Sequence, residues 1–105
     1  MKKFEQYLES IEYPTEKDIW DIAGVIKGQN GFFKFNTKAL QENEKGEIGK
    51  YFLNDNSDKI VFEAKEQWTI VDVEELQKYI KEKKPKKIYL DDLISELDWN
   101  IILKK

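Results

Sequence analysis

The chain contains no histidine, no cysteine and no arginine. Each absence removes a branch of chemistry. Without histidine, the commonest general acid–base group and the commonest transition-metal ligand are missing. Without cysteine there is neither a disulfide nor a thiolate nucleophile. All 18 basic residues are lysine, so the planar bidentate forks that usually clamp phosphates and carboxylates are missing too. The three serines, Ser10, Ser57 and Ser95, sit in no nucleophile-elbow or Ser-x-x-Lys context. No apolar run approaches the ~20 residues of a membrane span. There is also no signal-peptide pattern with a cleavage site, so a cytoplasmic protein without membrane contact is expected. The formal net charge of −3 argues against general nucleic-acid binding.

What is present suits one folded unit. With 105 residues, 40% hydrophobic and 13% aromatic, residues 1–105 are read as a single globular domain of modest core. The clearest local pattern runs from Lys59 to Ile80. Ile60, Val61 and Phe62 are strand formers, Ala64 to Gln67 is a short polar connection, and Trp68 to Val71 is a second strand. An antiparallel hairpin is expected, with the pairs Ile60/Phe62 and Trp68/Ile70 both facing the core and Val61 and Val71 on the other face. Asp72 then opens D-V-E-E. Its carboxylate suits a helix N-cap, with Glu75 placed to reach back to the Asp72 N–H. Val73, Leu76 and Ile80 mark one helix face, widened by Tyr79. Lys81, Lys83 and Lys84 suit the negative helix end, and Pro85 stops the helix.

Upstream, Phe4, Tyr7, Leu8 and Ile11 space like an amphipathic helix ended by Tyr13-Pro14. Thr15 with Asp18 resembles a capping box for a second helix carrying Ile19, Ile22, Ala23 and Ile26, and Gly24 within it marks a close contact. Gly28 and Asn30-Gly31 supply a stop and a turn. Phe32, Phe33 and Phe35 read as a strand, 36–49 as a long polar loop, Ile48 to Leu53 as another strand, and Asn54 to Asp58 as a turn. After Pro85 come an extended piece to Leu90, a helix from Asp91, and an apolar segment from Trp99 to Leu103 that docks as a strand or helix end. The expected fold is α+β. Two N-terminal helices pack on a roughly four-stranded, mainly antiparallel sheet, with a helix after the last strand and a short C-terminal helical segment. Nearest-neighbour pairing orders the strands as those of Phe32, Ile48, Ile60 and Trp68.

Several motifs bear on chemistry. The pairs Glu74/Glu75 and Asp91/Asp92 are accounted for by helix starts, and nothing brings Asp55 and Asp58 into one pocket with another acid. Asn54, Asn56 and Asp58 begin like a calcium loop, but the required glycine is Lys59 and the final glutamate is Lys65. Gly24, Gly28 and Gly31 follow a helical pattern and no Lys-Ser/Thr follows, so they form no phosphate loop. Lys81 to Lys87 is the one dense basic run and reads foremost as a solvated helix end. The remaining feature is acidic. Asp91, Asp92, Glu96 and Asp98 lie together, with no lysine between Lys87 and Lys104. On a helix, Asp92 and Glu96 share a side with Trp99, giving an acidic, aromatic-edged surface suited to a basic partner.

A non-enzymatic protein-binding domain with no cofactor and no metal is therefore expected, its partner-binding surface made of Asp91, Asp92, Glu96, Asp98 and Trp99. In general build (small, cysteine-free, acidic, single-domain) the chain resembles bacterial immunity proteins. That resemblance implies a basic toxin domain, such as a nuclease, as the partner, neutralised by covering its active site. A phage or mobile-element adaptor that inhibits a host factor is the first alternative. A carboxylate-based enzyme and a nucleic-acid binder using Lys81 to Lys87 come after it.

Overall fold

The computed structural model describes residues 3–15, 20–39, 47–48 and 57–105. A 3-10 turn, Phe4–Tyr7, leads into β1 (Leu8–Glu12), β2 (Ile22–Ile26) and β3 (Phe32–Ala39). A two-residue strand, β4 (Glu47–Ile48), precedes the hairpin β5 (Lys59–Glu63) and β6 (Gln67–Asp72). Helix α1 (Val73–Lys83), the short β7 (Ile88–Tyr89), helix α2 (Leu90–Glu96) and β8 (Asn100–Lys104) complete the order.

The main sheet has six strands in the order β1-β2-β3-β5-β6-β8, while β4 and β7 pair separately. All its pairings are antiparallel except β3 with β5. The sheet curls so that its two ends approach: the Tyr7 hydroxyl beside β1 donates to the Lys104 carbonyl of β8 over 2.8 Å. The curl makes two cores. On the inner, concave side Phe4, Leu8, Ile22, Ile26, Phe35, Val61, Trp68 and Ile70 pack together. On the outer side Ile60, Phe62 and Val71 are covered by Val73, Leu76 and Ile80 of α1, Ile88 of β7, and Leu90, Leu93 and Leu97 of the α2 region.

The hairpin and α1 form as their residues dictate. Asp72 caps α1 by accepting from the Glu75 N–H over 3.0 Å, and Val73, Leu76 and Ile80 are the buried stripe. Lys84 ends the helix in the left-handed region, its N–H returning to the Ile80 carbonyl. The faces of the hairpin differ from expectation. The register sets Ile60 opposite Val71 and Val61 opposite Ile70. Ile60 and Phe62 therefore face the helices, while Trp68 and Ile70 face the concave core. Both faces of these strands are buried, so the alternation that would have told them apart is lost.

The two expected N-terminal helices are not there. The first segment is one 3-10 turn followed by β1. Between Glu9 and Glu12 the β1 register slips by one residue, and Ser10 there has φ 55°. Such a bulge places two residues of one strand opposite one of its neighbour. It lets Leu8 and Ile11, three apart, both reach the concave core. A bulged strand has thus reproduced helical spacing. The second segment is β2, whose Ile22 and Ile26 share the inner face. A separation of four residues satisfies a strand's period as well as a helix's. The Asp18 half of the Thr15 capping box lies outside the described residues.

The expected sheet order is overturned as well. Asn36 to Ala39 continue β3 rather than opening a loop, and they pair parallel with β5, Phe35 opposite Lys59 and Ala39 opposite Glu63. A parallel neighbour needs a crossover of a dozen or more residues, and the chain between β3 and β5 is long enough for one. Ile48 pairs with Ile88 of β7, outside the main sheet, and the rest of the Ile48–Leu53 candidate lies outside the described residues. β8 takes the place beyond β6, as the apolar Trp99–Leu103 segment allowed.

Gly24 marks a close contact, but one between strands. A Cβ there would sit 3.0 Å from the Glu9 carbonyl oxygen and 3.4 Å from the Leu8 Cβ. Backbone oxygen cannot yield as a flexible side chain would, so Gly24→Ala is expected to destabilise the domain by about 1–3 kcal/mol. Equilibrium urea unfolding measures it. Wild-type stability in that variant would mean that β1 and β2 separate freely at this point.

Among the described residues, no helix is long and apolar enough to cross a membrane.

Candidate functional site

Helix α2 buries Leu90 and Leu93 and turns Asp91, Asp92 and Glu96 outward. Asp91 and Asp92 lie in its first turn, where the helix end favours negative charge. Asp98 follows in an exposed bend. All four carboxylates are solvent-exposed; Asp92 and Glu96 lie near Tyr79, and Glu96 and Asp98 line one groove. α1 lies beside α2. Between the two helices runs a shallow groove of about 220 Å³, lined by Tyr79, Glu82 and Lys83 on one side and Glu96, Leu97 and Asp98 on the other. Partial burial, and then the nearby Asp92 and Glu96 carboxylates, push the Tyr79 hydroxyl above the ordinary tyrosine value. Tyr79 thus stands beside these acidic side chains. Its sequence position, at the margin of the α1 stripe, identified it as helix packing alone.

Trp99 sits elsewhere. It is half-buried and packs on the concave-core cluster. Its ring meets Phe33 edge-on, with centroids 6.0 Å apart. Its backbone N–H donates to Glu75 Oε2 over 3.0 Å. Glu75, expected to reach back to Asp72, instead ties the approach of β8 to the first turn of α1.

Beneath Trp99 lies a feature that no sequence pattern marked. Lys59, at the start of β5, is buried, its side chain only 7% exposed. Its Nζ donates to Asp72 Oδ1 over 2.6 Å. The same ammonium lies 3.8 Å from the Trp99 ring centroid and 4.5 Å from that of Phe33. Two aromatic faces and one carboxylate thus enclose it, a cation–π arrangement strengthened by the loss of water. Asp72 serves twice, Oδ1 holding Lys59 and Oδ2 capping α1. A cleft of about 270 Å³ opens beside the pair, with Ser57, Asp58 and Glu74 among its walls. Asp58 is engaged with β3, accepting from the Lys34 N–H over 2.9 Å. The ammonium already holds its partners, and the arrangement works as a clamp joining β3, β5, α1 and the entry to β8.

A third cleft, of about 430 Å³, opens at the rim of the concave core over Phe4, Ile22 and Trp68. Its acids have partners: Asp21 Oδ2 accepts from both the N–H and the hydroxyl of Thr37, and Glu5 accepts from the Tyr13 hydroxyl. The lysines of Lys81 to Lys87 are exposed around the end of α1. Asn54, Asp55 and Asn56 lie outside the described residues. Among those described, no group of three or more potential metal ligands comes together. No protein-family profile matches the chain, and no match is found among curated proteins or solved structures.

Proposed function

We propose that this domain is a non-catalytic protein-binding module acting in the cytoplasm, and that it recognises a basic protein through the acidic surface of α2. The bacterial immunity role, inhibition of a basic toxin domain by covering its active site, is the form of this reading that we adopt. The observation that carries it is the exposure of Asp91, Asp92, Glu96 and Asp98 on and just after α2, with Asp92 and Glu96 near Tyr79 and Glu96 and Asp98 lining the α1–α2 groove. Carboxylates displayed this way steer a basic partner into encounter, and a tyrosine among them supplies an amphipathic anchor. The reading moves the aromatic contribution from Trp99 to Tyr79.

The test is co-expression of the tagged domain with the product of the adjacent upstream reading frame. A stoichiometric complex whose other member is toxic alone supports the immunity role. Asp92→Lys with Glu96→Lys is expected to weaken that complex by about 10- to 100-fold, which is about 1.4–2.8 kcal/mol. Both side chains are exposed, so the thermal unfolding of the free domain should stay close to wild type. An undiminished affinity in the double variant removes α2 from the interface.

A further inference from the structure

β8 is the last strand of the main sheet and pairs only with β6 among the described strands. Its hydrogen-bonding directions follow from one contact. The Lys105 N–H donates to the Glu66 carbonyl over 3.0 Å. Inward and outward groups alternate along an antiparallel strand. Leu103 and Ile101 therefore turn their backbone groups to β6, and Asn100, Ile102 and Lys104 turn theirs away from it. Of these outward groups, the Lys104 carbonyl receives the Tyr7 hydroxyl. Ile102, at the centre of the strand, is 41% exposed, one of three large hydrophobic side chains so exposed among the described residues.

The charges along this edge are polar in sequence. Exposed Asp98 stands just before the strand, exposed Ile102 at its middle and exposed Lys104 at its end. Such an edge is complementary to itself when a second strand runs antiparallel to it. We infer that β8 is a self-pairing edge, at which two copies of this chain join their sheets about a two-fold axis through Ile102. In that register Ile102 lies opposite Ile102 of the second copy, and the two exchange both backbone hydrogen bonds. Asn100 lies opposite Lys104 of the second copy. Asp98, in the bend that leads into β8, then stands toward the side of that lysine, and opposite charges so placed favour this register. The two-fold axis makes this acid–lysine placement twice. A carbonyl oxygen has two lone pairs, so the Lys104 carbonyl accepts both the Tyr7 hydroxyl and the inter-chain N–H. A pairing interface of this kind is isologous and closes at two copies.

Self-association needs no other protein and is read on this chain alone, so its failure is distinguishable from that of the proposed function even though Asp98 also belongs to the acidic surface. The experiment is sedimentation equilibrium of the full chain over micromolar to millimolar concentration. The expected result for wild type is a reversible monomer–dimer equilibrium. Asp98→Lys alone and Lys104→Glu alone each set like charges against each other in the register above, and each should raise the dimer dissociation constant about tenfold or more. Asp98→Lys combined with Lys104→Glu exchanges the two signs and should restore the wild-type constant. Circular dichroism of all four proteins is expected to coincide, because both side chains are exposed. A wild type that is monomeric throughout overturns the inference. So does a double variant that dimerises no better than the single ones.

Discussion

Replacing Asp72 with alanine should cost the domain about 3–5 kcal/mol, the range for stripping a buried charge of its partner. The origin of the loss lies in Lys59. Its side chain is almost wholly enclosed, and the only carboxylate described at its Nζ is that of Asp72. The Phe33 and Trp99 rings attract the ammonium, but cation–π contacts contribute about 0.5–2 kcal/mol, well short of a lost counter-charge. The missing helix cap adds about 1 kcal/mol. Asp72→Asn separates the two effects, since the amide oxygen can still cap α1 while the charge is gone. The further change Lys59→Met on the Asp72→Asn background should recover most of the loss, because neutral side chains of similar size can replace a buried ion pair at little cost. Guanidinium unfolding of the wild type, Asp72→Asn, Lys59→Met and the double variant forms the cycle, with Asp72→Ala measured beside it. An Asp72→Ala loss of only about 1 kcal/mol, the worth of an ordinary cap, would show that Lys59 finds water or another acid when its partner leaves.

The second large effect is expected at Phe35. This residue is fully buried at the centre of β3. Its ring meets Phe4 at 5.3 Å and Phe33 at 6.3 Å, both edge-on. Phe35→Ala opens a cavity between the 3-10 turn and the sheet, at a cost of about 3–5 kcal/mol. Marginal domains hold about 5–15 kcal/mol in all. The melting temperature should therefore fall by more than about 10 °C. Phe35→Leu keeps much of the volume and should cost about 1.5 kcal/mol or less. Equal, small losses in both variants would mean that the curled sheet collapses onto the space, and that Phe4 rather than Phe35 sets the spacing of the inner core.

These two sites differ in how far they could be read from residue order. Phe35 announces itself as part of an aromatic strand, and its burial needs no partner information. Lys59 reads as a polar boundary before Ile60. Only the antiparallel register that brings Lys59 opposite Asp72, the parallel neighbour that brings Phe33, and the return of the chain at Trp99 turn that boundary into an enclosed cation. The acidic surface is intermediate. Asp91, Asp92, Glu96 and Asp98 were legible as exposed because Leu90, Leu93 and Leu97 claim the other face of α2. Their neighbour Tyr79 was not, since it stands on a different helix and meets them only through packing.

The residues by themselves determined what is local. The β5–β6 hairpin, the Asp72 cap, the stripe of α1 and the start of α2 each depend on neighbours within a few positions. The missing histidine, cysteine and arginine limit the available chemistry whatever the fold. Tertiary structure decided the rest. The bulge at Ser10 and the paired isoleucines of β2 display spacings that helix and strand both satisfy, and only partners elsewhere in the chain select the strand. The parallel union of β3 with β5, the addition of β8 and the inward turn of Trp99 are settled between residues far apart in the chain. Backbone hydrogen bonds between strands depend on which strand is adjacent, and one strand's own side chains do not carry that information.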